Sequence, residues 1–153
     1  MTNEQREQRL TVDTRRIRVL MANGFCVSGD TFVQLQGSHL SGGQRVEDLL
    51  NGDESFLPLR NEFGTQLVNL EQIVSVSVAA AEELDPLLTL GRKYAVRVEP
   101  TVGDGINVCI YVNLPGSASR VKDFLNQKKR FLLFIDGDQV LYIARDKILR
   151  VID

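Results

Sequence analysis

The chain has 153 residues, 43% of them hydrophobic and 25% charged, with a net charge of −2. That length allows one medium domain or two small ones, and halves close to the limit of independent folding, about 60 residues, have to share apolar surface. No strong electrostatic attraction to phosphate or to a membrane surface follows from the near-neutral balance, and no apolar run approaches the roughly 18 residues of a membrane-spanning helix.

Residues 1–14 are polar and aperiodic and read as a mobile tail. Glu4, Arg6, Glu7 and Arg9 stand where a signal peptide carries its apolar core, so a cytoplasmic protein is expected. A first β unit then spans 15–78. Ile17, Val19 and Met21 alternate with Arg16, Arg18 and Leu20 until Asn23-Gly24, the strongest short-range hairpin signal. Arg15, Arg16 and Arg18 are expected on the wet side of this strand, guarding a sheet edge. The second strand covers 25–36 with Gly29 in its middle, where a missing side chain permits the bulge or bend that curls a strand into a barrel. After the glycine-rich stretch 37–43, residues 45–50 place Val46, Leu49 and Leu50 on one helical face, and Asn51 is suited to end the helix in a left-handed conformation. Residues 55–59 and 66–69 read as strands, and Val74, Val76 and Val78 alternate with Ser75 and Ser77 as a strand with one wet face. The stretch 79–92, with three alanines, Glu82-Glu83 and Pro86, suits a short helical turn or a packed linker.

The second unit, 93–153, repeats this order. Arg45-Val46-Glu47-Asp48-Leu49-Leu50-Asn51 recurs 75 residues later as Arg120-Val121-Lys122-Asp123-Phe124-Leu125-Asn126. Phe56-Leu57 recurs as Phe131-Leu132, and Ile73 and Val76 as Ile148 and Val151, so 45–76 matches 120–151 without a gap. Upstream, across a gap, Ile17-Arg18-Val19 matches Val96-Arg97-Val98. Duplication is the simplest explanation. Residues 108–112 and 131–135 are apolar at nearly every position, and a period of two cannot turn all of them into one core. They imply covering on both faces, by the first unit or by another chain. The expected fold is therefore mainly β: a tandem duplication of a small five-stranded barrel with one short helix per half, the halves packed together.

Ile17-Arg18-Val19-Leu20, Asn23-Gly24 and Gly29 together resemble the opening signature of Sm-like proteins, which implies an SH3-like five-stranded barrel. The family binds RNA through Asp and Asn just past the bent-strand glycine and through an Arg-Gly pair near the last strands. Leu35 and Gln36, and Ile73-Val74 or Ile148-Leu149, stand in those places here. The Arg-apolar-x-Asp-apolar-Leu-Asn motif followed by Phe-Leu also resembles a group of uncharacterised bacterial proteins that carry it beside small barrels. That likeness implies no activity.

Catalytic constellations are missing from the sequence. His39 is the one histidine, set in a glycine-rich loop without Cys or His at ligand spacing, so no metal site is expected. Neither cysteine nor any serine has the glycine context of a nucleophile elbow, and no enzyme is expected. The glycine-rich loop lacks the Gly-Lys-Ser/Thr ending of a phosphate cradle, and no cofactor is expected. The paired motifs of a PilZ-type cyclic-dinucleotide receptor fail in both parts. Cys26 and Cys109 are too few for a disulfide framework and are expected as buried free thiols.

The repeated Arg45, Asp48, Asn51 and Arg120, Asp123, Asn126 are the candidate interaction residues. At a spacing of three they lie along one helical face, so an Arg-Asp pair and a terminal Asn cap account for them structurally, while a shared polar face toward a partner accounts for them functionally. Lys128-Lys129-Arg130 beside Phe131 is the candidate nucleic-acid contact, combining phosphate attraction with stacking. The expected function is a non-enzymatic protein-interaction or scaffold module whose partner is another protein or a second copy. Single-stranded RNA binding and sensing of a small ligand such as a nucleotide are the alternatives.

Overall fold

The computed structural model describes residues 12–35 and 43–153. Among these, ten strands and two short helices follow one another as β1 (Val12–Met21), β2 (Cys26–Gln34), α1 (Val46–Leu50), β3 (Phe56–Asn61), β4 (Gly64–Asn69), β5 (Ile73–Ala79), β6 (Arg92–Pro100), β7 (Ile106–Val112), α2 (Val121–Leu125), β8 (Phe131–Asp136), β9 (Gln139–Ala144) and β10 (Ile148–Ile152). The first hairpin turns where its chemistry demands. Gly24 takes φ +87°, and the Asn23 side chain accepts a hydrogen bond from the Phe25 amide at 3.0 Å. No helix among the described residues is long and apolar enough to cross a membrane.

All strands join one antiparallel sheet in the order β10-β6-β7-β8-β9-β5-β1-β2-β3-β4. Each half thus runs fifth-first-second-third-fourth. The pairings also recur residue for residue. Val19 faces Val76 as Val98 faces Val151, and the shift between Leu20 and Met21 against β5 is matched by the shift between Ile148 and Arg150 against β6. Asp30 faces Arg60 as Cys109 faces Ile135, and Phe56 faces Asn69 as Phe131 faces Ala144. A single additional pairing, β5 with β9, welds the halves.

Two apolar cores lie on this sheet, and they are drawn from the chain unequally. The second contains only residues of the second half, among them Val98, Ile110, Phe124, Phe134 and Ile143. The first gathers Ile17, Val19, Leu50, Leu59 and Val76 but is completed by Phe131, Val140, Tyr142 and Ala144. β9 accordingly sends Val140 and Tyr142 into one core and Leu141 and Ile143 into the other. This is how its two apolar faces are covered.

Several expectations are corrected. The sheet is open: β4 and β10 are its edges, and no pairing among the described residues closes either half. β1 begins at Val12, inside the stretch expected as a tail over 1–14, while residues 1–11 and 36–42, with His39, fall outside the described residues. β1 lies between β5 and β2, although only Ile17–Met21 pair with β5, and Arg16 and Arg18 are exposed. Arg15 points inward instead, its Nε 2.5 Å from a Glu82 carboxylate oxygen. Gly29 bears no bulge, since the β1–β2 register runs through it unbroken. Its role is close approach, because a Cβ there would come within 2.7 Å of the Arg60 carbonyl oxygen and deep into the Leu59 side chain. β5 has no wet face: Ser75 is buried, and Ser77 bonds Gln139 across the seam between the halves. Cys26 is exposed and Cys109 half-buried, both at positions alternating with core residues. The linker 79–92 holds two 3-10 turns, Ala80–Glu82 and Leu88–Leu90.

Candidate functional site

The joint between the halves concentrates the polar side chains that strand pairing does not explain. Here Val76 stands opposite Tyr142 and Val78 opposite Val140. Asn51, just beyond α1, reaches across to β8, where its Oδ1 accepts from the Phe131 amide at 2.8 Å and its Nδ2 donates to the Phe131 carbonyl at 3.2 Å. A planar amide offers one donor and one acceptor side by side, as a peptide group does, so Asn51 stands in for a neighbouring strand. Two further contacts flank it. Lys129 Nζ lies 3.3 Å from Glu47 Oε1, and Arg130 Nη1 donates to the Glu54 carbonyl at 3.2 Å.

Beneath the seam sits Glu83, only 1% exposed. Its Oε1 accepts from the Tyr142 hydroxyl at 2.7 Å and from the Glu47 amide at 3.3 Å, and its Oε2 accepts from the Val46 amide at 3.2 Å. The carboxylate therefore takes up amides at the start of α1 that have no partner inside the helix. Burial raises the Glu83 pKa above the usual carboxylate range, against the Tyr142 hydroxyl, the two amides and the charge of Arg15. Burial, then the Glu83 charge, raises the Tyr142 hydroxyl pKa in turn. A cleft of about 310 Å³ opens beside this cluster, lined by Arg45, Glu47, Glu83, Asp85, Tyr111 and Lys129 among others.

The structure separates the two copies of the repeated motif. Arg45 points to Asp85, with Nη2 to Oδ2 at 3.9 Å, while Asp48 accepts from the Arg45 amide at 2.8 Å. In the second copy the side chains pair with each other, Arg120 Nε to Asp123 Oδ2 at 2.8 Å, and this guanidinium holds the Asp123 carboxyl below the usual range. Neither asparagine is left-handed, with φ −101° at Asn51 and −89° at Asn126. Asn51 is held by Phe131, and Asn126 donates back to the Lys122 carbonyl at 2.9 Å. Of the basic run, Lys128 is exposed, Lys129 and Arg130 are engaged at the joint, and Phe131 is fully buried, which takes its ring out of reach of a stacking base. Glu83 and Tyr142 carried no signal in the sequence, since Glu83 stands beside Glu82 and Asp85 in the linker and nothing local sets it apart. Chemically, the cluster grips backbone and buries a strand. Comparison with family models, with curated proteins and with solved structures finds no match to this chain.

Proposed function

We propose that this protein is a non-enzymatic protein-interaction module, a doubled Sm-like five-stranded unit of the cytoplasm that takes up partners on its strand edges. The observation that carries the reading is the pair of edges left unpaired among the described residues, β4 and β10. Both present large apolar side chains, Leu67 at 68% and Leu149 at 69% exposure, with Phe63 and Ile152 beside them. An uncovered edge of backbone donors and acceptors bearing apolar side chains is a template for another strand. The nucleic-acid alternative draws on a basic run whose aromatic is buried, while Lys129 pairs with Glu47 and Arg130 donates to the Glu54 carbonyl.

The test is a photo-crosslinking amino acid placed in living cells at Leu67 or Leu149, with Asp104 in a turn as control. Defined protein adducts at Leu67 and Leu149, and none at Asp104, are expected. The same adducts from the turn, or none at the edges, would refute the reading.

A further inference from the structure

We infer that the partner of these edges is a second copy of the chain, joined head to tail by β4 of one copy pairing with β10 of the next. This rests on the interaction-module reading and names its partner. The halves are welded by the fifth strand of the first, β5, and the fourth strand of the second, β9. Among the described residues, what remains open is one fourth strand, β4, and one fifth strand, β10. The chain therefore displays at its ends the same two edges that it joins in its middle, and moving the internal register by 75 residues puts Val151 opposite Leu67 and Arg150 opposite Val68.

Side chains at the open ends match this arrangement. Phe131, buried in the joint, corresponds to Phe56, which is 50% exposed, and Tyr142, fully buried, corresponds to Leu67. On the receiving side Ile73, Val76 and Leu50 are fully buried, whereas their counterparts Ile148, Val151 and Leu125 are only half-buried. A docked copy would bury each of these, as the second half buries the first. The polar contacts transfer too, with inverted sign. Glu47 pairs with Lys129 inside the chain, and their counterparts are Lys122 and Glu54, both exposed and again opposite in charge. Asn126, counterpart of Asn51, lies folded on its own helix, and no side chain among the described residues reaches the backbone of Phe56, the counterpart of Phe131. In the docked pair Asn126 of one copy takes the backbone of Phe56 in the next. Because the two patches differ, the contact is heterologous, and its repetition yields a ring or a fibre according to the rotation per copy.

The experiment is sedimentation of the whole chain from low to high micromolar concentration, together with one blocked variant for each edge. Leu67→Pro blocks β4 and Val151→Pro blocks β10. In both places the lost amide faces the open edge: the Leu70-to-Ser55 bond fixes the alternation for β4, and Val76, counterpart of Val151, turns toward β9. The unmodified chain is expected to grow with concentration. Each variant alone is expected to stay monomeric, and an equal mixture to form a dimer and nothing larger, since one competent joint remains. Should the prolines unfold the chain, Lys122→Glu and Glu54→Lys replace them: each alone weakens association about two- to five-fold, and the two together restore it. An unmodified chain that stays monomeric throughout, or charge variants without rescue, overturns the inference. Crosslinks from the edges to other proteins would in that case leave the interaction-module reading standing.

Discussion

The two halves share strand order and register, yet they are not equal partners. The second half owns its core outright, whereas the first leaves a side that only Phe131, Val140, Tyr142 and Ala144 close. Matching residues consequently have unlike surroundings: Phe131 is fully buried while Phe56 is half exposed, and Asn51 binds another strand while Asn126 binds its own helix. Matching strand order and register do not confer matching energetics. What a residue is worth depends on which side of the joint it occupies.

Cutting the chain in the linker is the strongest way to break that comparison. A fragment of residues 12–91 lacks the wall of its core and is expected to show no cooperative melting by circular dichroism or calorimetry. A fragment of residues 92–153 keeps its whole core and is expected to retain β structure, though with low stability at a length near the limit of independent folding, about 60 residues. Two equally folded fragments would contradict the asymmetry. Next in size is Phe131→Ala, which opens a cavity in a sealed core and should cost about 3–5 kcal/mol in denaturant unfolding. Phe56→Ala, at a half-exposed edge, should cost under about 1 kcal/mol while weakening self-association.

Asn51→Ala comes third. It leaves the Phe131 amide and carbonyl without partners in a partly buried seam and should cost about 1–3 kcal/mol, against a few tenths, roughly, for Asn126→Ala on an exposed helix end. Equal costs would mean that the cross-joint amide contributes nothing.

Much of the strand layout was legible because its determinants are local. Asn23-Gly24 turns the first hairpin, period-two alternation marks β1, and the greasy run at 131–135 announces a strand covered on both faces. The positions that match across the halves, down to the Arg45 and Arg120 motifs, are visible in the sequence. Closure could not, because a free edge and a closed barrel have the same alternation, and only the pairing of distant strands tells them apart. The roles of Asn51 and Asn126 diverge for the same reason: identical local sequences end helices that face different surroundings, and the Asn51–Phe131 contact spans 80 positions. The sequence around Cys26 and Gly29 suggested β structure but not which face each residue takes or what approaches it.

The least of the effects lies under the seam, where Glu83 holds the start of α1 while no acid among the described residues is buried at α2. Its pKa is raised in the folded protein, so the folded state binds the proton more tightly than the unfolded chain does. The stability linked to that proton is complete at low pH, where both states are protonated, and is lost as pH rises from the ordinary carboxylate range through the raised value. Asp13, Glu99 and Asp123, held low by Arg15, Arg150 and Arg120, act in the opposite sense and lose their contribution as pH falls. The signature of Glu83 is therefore a difference between two curves. Glu83→Gln keeps an acceptor for the Tyr142 hydroxyl but turns an amide toward the Val46 N–H, so it should be less stable than the parent at acid pH, and the deficit should shrink as pH rises and Glu83 ionises. Denaturant unfolding of both proteins at a series of pH values reads this directly. A deficit that stays constant or widens toward neutral pH would show that the buried carboxyl does not titrate above its ordinary range.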